Sequence, residues 1–346
     1  MNTLSNMTVR RKLLSPAELR ARIPLSPKGQ AAKVRRDREI ADILSGRDDR
    51  ILLIIGPCSA DREDAVLDYI HRLVPLQEQV RDRILIIPRI YTNKPRTTGD
   101  GYKGIASQPD PTKLPDMEKG LISVRQLHVR AVNETGFTCA DEMLYPGNDP
   151  YVADVLSYIA VGARSVENQQ HRLVASGLGV PVGMKNPTSG DLSVMLNSIT
   201  AAQHPHIFSY REQEVETKGN PLAHAILRGS VDRNGRTIPN YHYEDLRGLY
   251  DLYQAKGLQN MAAIIDANHA NSGKRPLEQI RIVNEVLHAR RHATEIHDLV
   301  KGFMVESYLE DGAQAVDGGV YGMSITDPCL GWEKTRQLIL EMAAQL

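Results

Sequence analysis

The sequence has few cysteines, few aromatic residues and no excess of charge of either sign. Only Cys58, Cys139 and Cys329 occur among 346 residues, and an odd, sparse count does not suggest a disulfide framework but favours a reducing compartment. Lys+Arg and Asp+Glu both number 42, so the formal net charge is +0. Proteins that bind a nucleic acid duplex usually carry a basic excess or stripe, so we expect no nucleic-acid partner.

Long apolar runs are also missing. No run approaches the ~18 residues of a membrane-spanning helix, and residues 1–15 lack the apolar core of a signal peptide. We therefore expect a cytoplasmic protein without a membrane partner. Hydrophobic residues make up 41% of the chain and charged residues 24%, which is ordinary for a globular protein with a large core.

The sequence does contain a regular alternation of apolar runs and helical patterns. Residues 1–50 are predicted to form a polar arm and one amphipathic helix, at 32–47. Eight apolar runs then alternate with helices, and such runs are typical of a parallel sheet buried on both faces. We predict an α/β fold, a (β/α)8 TIM barrel over residues 51–346, with a doubly wound open sheet as the alternative. No G-x-G-x-x-G follows the first strand, which weakens a dinucleotide-binding interpretation.

Two segments of the predicted barrel have particular assignments. Residues 149–159 are predicted as a helix that precedes a strand at 160–166. Residues 206–211 and 222–229 bracket a polar turn, and we predict that they pair as a β-hairpin insertion near the sixth strand.

Charged or metal-binding residues stand near the C-terminal ends of the predicted strands. Each has an ordinary alternative: a buried cysteine is usually a small hydrophobe, a strand histidine a satisfied core residue, and a strand-end arginine a surface ion pair. Eight such residues on one rim favour an active site, because barrel active sites are assembled at that face. The residues are Cys58, Arg89, Glu142, Arg164, Lys185, Arg228, His269 and Glu306.

These residues, with others in the following loops, fall into two chemical groups. Thiolate, imidazole and carboxylate together favour a divalent transition metal, Mn, Fe, Co or Zn, which would act as a Lewis acid on a carbonyl oxygen. Several cations in one cleft suit substrates that carry two phosphates and a carboxylate. The mixed group is Cys58, His269, Glu306 and Asp327, and the cationic group is Arg89, Lys94, Arg96, Arg164, Lys185 and Arg228.

Long motifs from residue 51 to the C-terminus resemble those of one enzyme family. The motifs are IGPCS (55–59), KPRTT (94–98), GARSVENQQHR (162–172), PVGMKN (181–186), ILRG (226–229), DANHANSGK (266–274), MVES (304–307) and SITDPCLGWE (324–333). They resemble the motifs of the type I 3-deoxy-D-arabino-heptulosonate 7-phosphate (DAHP) synthases of the enteric and yeast branch, also called phospho-2-dehydro-3-deoxyheptonate aldolases.

The resemblance implies a transferase that condenses phosphoenolpyruvate with erythrose 4-phosphate and water, and releases phosphate. This is the first step of the shikimate pathway to chorismate and the aromatic amino acids. A sibling enzyme that uses another aldose phosphate, such as arabinose 5-phosphate, and a catalytically dead regulatory barrel are the alternatives. The resemblance also implies a homodimer or homotetramer, with residues 1–50 as an oligomer and regulatory extension, and an aromatic amino acid as effector.

The matched motifs also assign roles to individual residues. The implied metal ligands are Cys58, His269, Glu306 and Asp327. Arg164 and Arg228 are expected at the phosphate of phosphoenolpyruvate, and Arg89, Lys94 and Lys185 at its carboxylate. Pro95, Arg96 and Thr97 are expected at erythrose 4-phosphate. Lys94 is the expected proton donor to the new hydroxyl, and Glu142 is expected either to handle the attacking water or to support the residues that contact the substrates.

One loop departs from the family pattern. After KPRTT the chain reads GDGYKG, one residue longer than in the enteric enzymes, with Tyr102 where they carry tryptophan. Because the resemblance places this loop beside the aldehyde substrate, we expect it to affect sugar affinity. The DANHAN segment also differs from many relatives, which carry a serine before the histidine.

Overall fold

The computed structural model describes residues 6–96 and 98–346. The helices are α1 (Pro16–Arg22), α2 (Pro27–Leu44), α3 (Glu63–Val80), α4 (Met117–Thr135), α5 (Gln169–Ala175), α6 (Leu192–Gln203), α7 (Tyr243–Lys256), α8 (His269–Ser272), α9 (Glu278–His292), α10 (Thr294–Leu299) and α11 (Trp332–Gln345). The strands are β1 (Ile51–Gly56), β2 (Ile84–Pro88), β3 (Cys139–Glu142), β4 (Leu156–Val161), β5 (Val182–Lys185), β6 (Ile207–Tyr210), β7 (Gln213–Glu216), β8 (His224–Leu227), β9 (Ser230–Val231), β10 (Thr237–Ile238), β11 (Ala263–Asp266) and β12 (Val300–Glu306).

Eight parallel strands form the predicted barrel rather than an open doubly wound sheet. Their order is β2-β1-β12-β11-β8-β5-β4-β3, and each neighbouring pair is hydrogen-bonded. The two edge strands meet through one bridge between Arg89 and Ala140, where the amide of Ile90 donates to the Ala140 carbonyl at 2.9 Å. A sheet closed on itself in this way has all its strand C-termini at one mouth.

Two predictions made from the sequence, the helix at 149–159 and the pairing of 206–211 with 222–229, need correction. Residues 149–159 are not a helix, because a 3-10 helix covers Pro146–Tyr151 and Leu156–Val161 is strand β4. Every residue of β4 is buried, and periodicity cannot distinguish a short buried strand from a buried helix. The hairpin does form near the sixth barrel strand, but β6 pairs with β7, and β8 is the barrel strand itself. Arg211 and Glu212 close it early, both with positive φ (53° and 62°), as in a two-residue type I′ turn.

Helix α2 closes the N-terminal mouth of the barrel. Arg36 donates to Thr138 Oγ1 at 3.2 Å and to the Ile86 carbonyl, which fixes the helix across the strand starts. Its apolar side chains form one buried cluster with the inward-facing residues of the strands. Members of this cluster include Ile40, Ile43, Leu44, Leu52, Ile54, Leu85, Ile87, Ile264 and Met304. Among the described residues, no helix combines the length and the apolar composition needed to cross a membrane.

Candidate active site

A cavity of about 360 Å³ opens at the C-terminal mouth of the barrel. Its walls come from the C-terminal ends of the eight barrel strands and from the loops that follow them. The residues that line it include Cys58, Arg89, Asn93, Lys94, Pro95, Arg96, Glu142, Gly162, Arg164, Ser165, Lys185, Thr188, Arg228, His269, Lys274, Thr326 and Asp327. The structure therefore brings the predicted site residues to one place, except Glu306, which is buried next to the cavity, and Thr97, which lies outside the described residues.

The cavity carries a large excess of positive charge. Arginine and lysine side chains line it from seven positions, whereas the acidic residues in its wall are Glu142 and Asp327. Within the described chain, Arg228 Nη1 and the Nε and Nη1 atoms of Arg89 are buried without a hydrogen-bond partner. Buried guanidinium donors are normally paired, so this arrangement favours an anionic ligand.

Three of the four predicted metal-binding residues form a compact cluster. One donor atom each from Cys58, Glu306 and Asp327 lies within 4.8 Å of the others. His269 is adjacent, with its Nε2 atom 3.8 Å from Glu306 Oε1. A sulfur, a nitrogen and two carboxylates suit a transition metal better than Ca²⁺ or Mg²⁺. The described residues thus contain a cluster that could hold a metal ion.

Backbone conformation and a buried carboxylate orient His269. It follows β11 and has a φ of 48°, in the left-handed region that side chains other than glycine rarely adopt. Its Nδ1 atom lies 2.8 Å from Asp266 Oδ2, although the geometry is poor for a hydrogen bond. The same oxygen lies 3.2 Å from Lys185 Nζ, so Asp266 contacts both the metal cluster and the cationic wall. A carboxylate behind a histidine ligand is a common second partner in metal sites.

Burial and neighbouring charges shift the ionisation of the cluster. Burial and the nearby Glu306 carboxylate raise the pKa of the Cys58 thiol. Burial would raise the pKa of Glu306, but Arg89, at 2.7 Å, together with His269 and Lys94 lowers it below its usual range. The carboxylate of Glu306 is therefore ionised, as a metal ligand must be.

Lys94 lies between the metal cluster and the rest of the cavity. Its Nζ atom donates to Cys58 Sγ at 3.0 Å. Burial alone would lower the pKa of Lys94, but the charges of Cys58 and Glu306 raise it above its ordinary value. Lys94 therefore holds its proton at neutral pH and can act as an acid.

Glu142 reaches the cavity beside a glycine. A Cβ atom on Gly162 would lie 2.5 Å from Glu142 Oε1, so any side chain at that position would displace the carboxylate. The acidic group thus lies against the start of the loop that carries Arg164, and it adds one negative charge to a cationic wall.

The loop with the family departure folds back onto Arg96. The Tyr102 carbonyl accepts a hydrogen bond from Arg96 Nε at 2.7 Å, and the buried Tyr102 hydroxyl donates to the Ala60 carbonyl at 3.1 Å. The loop is therefore anchored to the segment after β1, and it sets the direction of the Arg96 guanidinium.

Sequence reasoning missed two charged residues of the site. Asp266 is the first polar residue after the apolar run of β11. The search for charged residues at strand ends selected only His269 from this segment and so passed over Asp266. Lys274 lines the cavity and contacts Asp327 Oδ1 at 2.8 Å, but it lies eight positions beyond the strand, so the strand-end rule did not reach it although it is the last residue of the DANHANSGK motif.

The fold and the cavity together define a class of protein. It is a (β/α)8 barrel with a cationic cavity beside a cluster of residues that could bind a metal ion. Comparison with known proteins is more specific. The DAHP synthetase I family matches residues 23–340. The chain belongs to this family, which confirms the resemblance noted in its motifs and the enzyme class predicted from them.

Individual relatives agree with this membership. The chain is 38% identical to a phospho-2-dehydro-3-deoxyheptonate aldolase of Corynebacterium glutamicum, over 96% of this chain and 91% of the relative. It is 37% identical to the Trp-sensitive enzyme of Escherichia coli K12, over 96% and 94% of the two chains. A solved structure of the corresponding aldolase from Francisella tularensis superposes with a TM-score of 0.91 at 32% identity, and covers 98% of both chains.

Proposed function

We propose that the cavity binds phosphoenolpyruvate and erythrose 4-phosphate together and condenses them with water to DAHP and phosphate. The observation that carries this proposal is the excess of arginine and lysine side chains in the cavity. They lie beside a cluster of residues that could bind a metal ion, in a barrel of this family. Two phosphates and one carboxylate bring enough negative charge to balance such a wall. The reaction would open the route to the aromatic amino acids.

The proposed metal is one divalent ion of Mn, Fe, Co or Zn, held by Cys58, His269, Glu306 and Asp327. The donor set supports this group of metals, because it combines a sulfur, a nitrogen and two carboxylates. When bound, the ion supplies a Lewis acid that polarises the aldehyde carbonyl of the sugar.

The remaining residues bind, orient and transfer protons. The enol carbon of phosphoenolpyruvate attacks the aldehyde, water adds to the resulting cationic carbon, and phosphate leaves by C–O cleavage. Lys94 would give its proton to the new hydroxyl, and Glu142 would take one from the attacking water. Arg164 and Arg228 are proposed for the phosphate of phosphoenolpyruvate, Arg89, Lys94 and Lys185 for its carboxylate, and Pro95, Arg96 and Thr97 for the sugar phosphate.

A coupled assay of phosphate release tests the proposal. The enzyme is stripped with EDTA, reloaded with each metal, and compared on erythrose 4-phosphate and arabinose 5-phosphate. We expect turnover to require metal and to favour the four-carbon sugar. Preference for arabinose 5-phosphate would support the sibling enzyme, and no phosphate release by the metal-loaded protein would support the dead barrel.

Substitution of a ligand provides a second readout of the metal site. Cys58→Ala should abolish both turnover and the bound metal measured per chain, and leave the fold intact. Cys139→Ala is the matched control, because Cys139 is also a free, buried cysteine but lies at the start of β3. Full activity of Cys58→Ala, or activity that EDTA leaves unchanged, would contradict the metal assignment.

We also infer that an aromatic amino acid regulates the enzyme and that the enzyme is a cytoplasmic homodimer or homotetramer. The printed names of relatives, Trp-sensitive and Tyr-sensitive, support regulation. Exposed apolar side chains on the N-terminal segment, Met7, Val9 and Val34, support self-association. The assay repeated with Phe, Tyr and Trp tests the regulation, and insensitivity to all three would contradict it. Light scattering of the purified chain tests the oligomeric state, and a monomer would contradict that inference.

A further inference from the structure

Asp141 is a buried carboxylate at the end of β3 that the proposed mechanism does not use. Its side chain is 7% exposed, and it directly precedes Glu142. Burial of a carboxylate costs free energy unless hydrogen bonds or a cation compensate for the lost water. The partners of this carboxylate therefore indicate why the chain places an acid there.

One carboxylate joins two segments of the chain. Asp141 Oδ1 accepts hydrogen bonds from the backbone amides of Thr92, at 2.9 Å, and of Glu142, at 2.7 Å. Asp141 Oδ2 accepts from the Thr92 hydroxyl at 2.5 Å. Two of these three bonds come from Thr92, and hydrogen bonds to a carboxylate are stronger than those between neutral groups, so they hold Thr92 against the end of β3.

The Asp141 side chain continues the seam of the barrel where its backbone pairing stops. The amide of Ile90 still donates to the Ala140 carbonyl at 2.9 Å. Two residues further along, the amide of Thr92 reaches the Asp141 carboxylate instead of a backbone carbonyl. The chain can then leave the strand direction and carry Lys94 towards Cys58 while it remains tied to β3.

The bonds continue from Thr92 towards the cavity. Asn93 Nδ2 donates to the Thr92 hydroxyl oxygen at 3.2 Å, and both Asn93 and Lys94 line the cavity. No cation is hydrogen-bonded to the carboxylate among the described residues. The side chain of His128 is nearest, with Nε2 3.7 Å from Oδ2, which is beyond hydrogen-bond distance. Hydrogen-bond donors of Thr92 and Glu142 therefore compensate for the burial of the Asp141 carboxylate. In turn, the carboxylate fixes the positions of these two residues.

We propose that Asp141 is a positioning residue, which fixes Lys94 relative to Glu142 through Thr92. This inference rests on the proposed proton-transfer roles of Lys94 and Glu142. A proton donor and a proton acceptor that serve successive steps of one reaction must stay at a fixed separation around the bound substrates. A misplacement of about 1 Å can cost about 100-fold in rate.

Two substitutions test the positioning role. Thr92→Val removes the hydroxyl but keeps the amide, and we expect kcat to fall about 10-fold and the KM for phosphoenolpyruvate to rise, because Lys94 is also proposed to bind its carboxylate. Asp141→Asn removes the charge from all three bonds, and we expect a fall of about 100-fold. Thr138→Val is the matched control: it removes a buried threonine hydroxyl at the opposite end of the same strand, and it should leave kcat unchanged.

A double-mutant cycle separates positioning from a merely structural role. If Thr92 acts through Lys94, Thr92→Val should lower kcat little further, less than about 2-fold, in a Lys94→Gln background, because groups that act as a unit are not additive. Melting temperatures of all variants check the fold. The positioning role would be overturned if the single variants are impaired and their effects multiply in the double variant. It would also be overturned if kcat is unchanged in Thr92→Val and Asp141→Asn. Neither outcome would affect the proton-transfer roles. Unchanged kcat in both Lys94→Gln and Glu142→Gln would overturn the assigned proton-transfer roles and, with them, the positioning role.

Discussion

At the scale of the residue, Arg89 belongs to both halves of the site. Its Nη2 atom lies 2.7 Å from Glu306 Oε1, and its guanidinium lies 3.7 Å over the Tyr91 ring. The remaining nitrogen atoms have no partner in the described chain. A substitution of Arg89 would therefore disturb the proposed metal site and the proposed anion site together. Arg228, by contrast, is not ion-paired with a metal-binding residue in the described structure, so it isolates the anion site.

Arg228→Ala should raise the KM for phosphoenolpyruvate about 100-fold and change the KM for erythrose 4-phosphate much less. The basis is that a charged hydrogen bond contributes about 1.5–3 kcal/mol and a guanidinium can make two to a phosphate. Steady-state kinetics with each substrate varied in turn provide the measurement. Arg236→Ala, whose side chain is 77% exposed, is the control. An equal rise of both KM values would disprove the phosphate assignment.

Tyr102→Phe should raise the KM for erythrose 4-phosphate several-fold and leave the KM for phosphoenolpyruvate unchanged. The substitution removes the hydroxyl that anchors the loop to the Ala60 carbonyl, and the loop carbonyl that holds Arg96 then loses its fixed position. Tyr145→Phe serves as the control, because Tyr145 is 52% exposed and lies outside this loop. An unchanged KM for the sugar would show that the anchor does not set Arg96.

At the scale of the element, α2 is part of the barrel core although it precedes the first strand. Its buried face covers the N-terminal mouth with Ile40, Ile43 and Leu44. We therefore propose that residues 27–44 fold together with the barrel, and that only the chain before α2 is an extension in the sense predicted from sequence.

Ile43→Ala should lower the free energy of unfolding by about 3 kcal/mol, because it leaves a cavity in a fully buried cluster. Denaturant titration provides the measurement, and KM values for both substrates should not change, since the active site is at the other mouth. Arg38→Ala on the same helix is the control: the Arg38 side chain is 87% exposed, and its loss should cost less than about 0.5 kcal/mol. Equal effects of the two substitutions would contradict the role of α2 as a core element.

The sequence predicted correctly those helix and strand boundaries that neighbouring residues in the chain determine. Helix α4 ends at Thr135, as Gly136 predicts, because glycine readily adopts the left-handed conformation there, with a φ of 77°. The turn at Arg211 and Glu212 has no glycine or asparagine to mark it, so the hairpin partner was wrong. Strand ends and motifs indicated most residues of the cavity. The bonds of Asp141 could not be predicted, because they depend on a neighbour 49 positions away.

At the scale of the whole molecule, a buried histidine couples stability to pH. His224 is 1% exposed, its Nδ1 donates to the Leu222 carbonyl at 2.8 Å, and its Nε2 accepts from the Tyr158 hydroxyl at 2.7 Å. Burial lowers the pKa of His224 to about 4 from 6.5. Between these values the unfolded histidine binds a proton and the folded one does not, so stability falls as the pH falls through this window.

His224→Gln should remove this pH dependence, which amounts to about 3 kcal/mol over the full window. Asp61 and Asp149, whose pKa values burial raises to about 6, contribute with the opposite sign in the same window. The measurement is therefore the difference in unfolding free energy between wild type and variant, at pH 7 and at pH 4.5. We expect the variant to gain on the wild type as the pH falls; a constant difference would contradict the buried, neutral histidine.

The bridge between Arg89 and Ala140 has a consequence for how the protein folds. It closes the circle between β2 and β3, which are neighbours in space but are joined through a long crossover that contains α4. Because Arg89 both completes this seam and lines the cavity, the cationic wall of the cavity is whole only in chains whose seam has formed. Recovery of phosphoenolpyruvate binding during refolding would therefore report completion of the barrel, and partly folded chains would bind none.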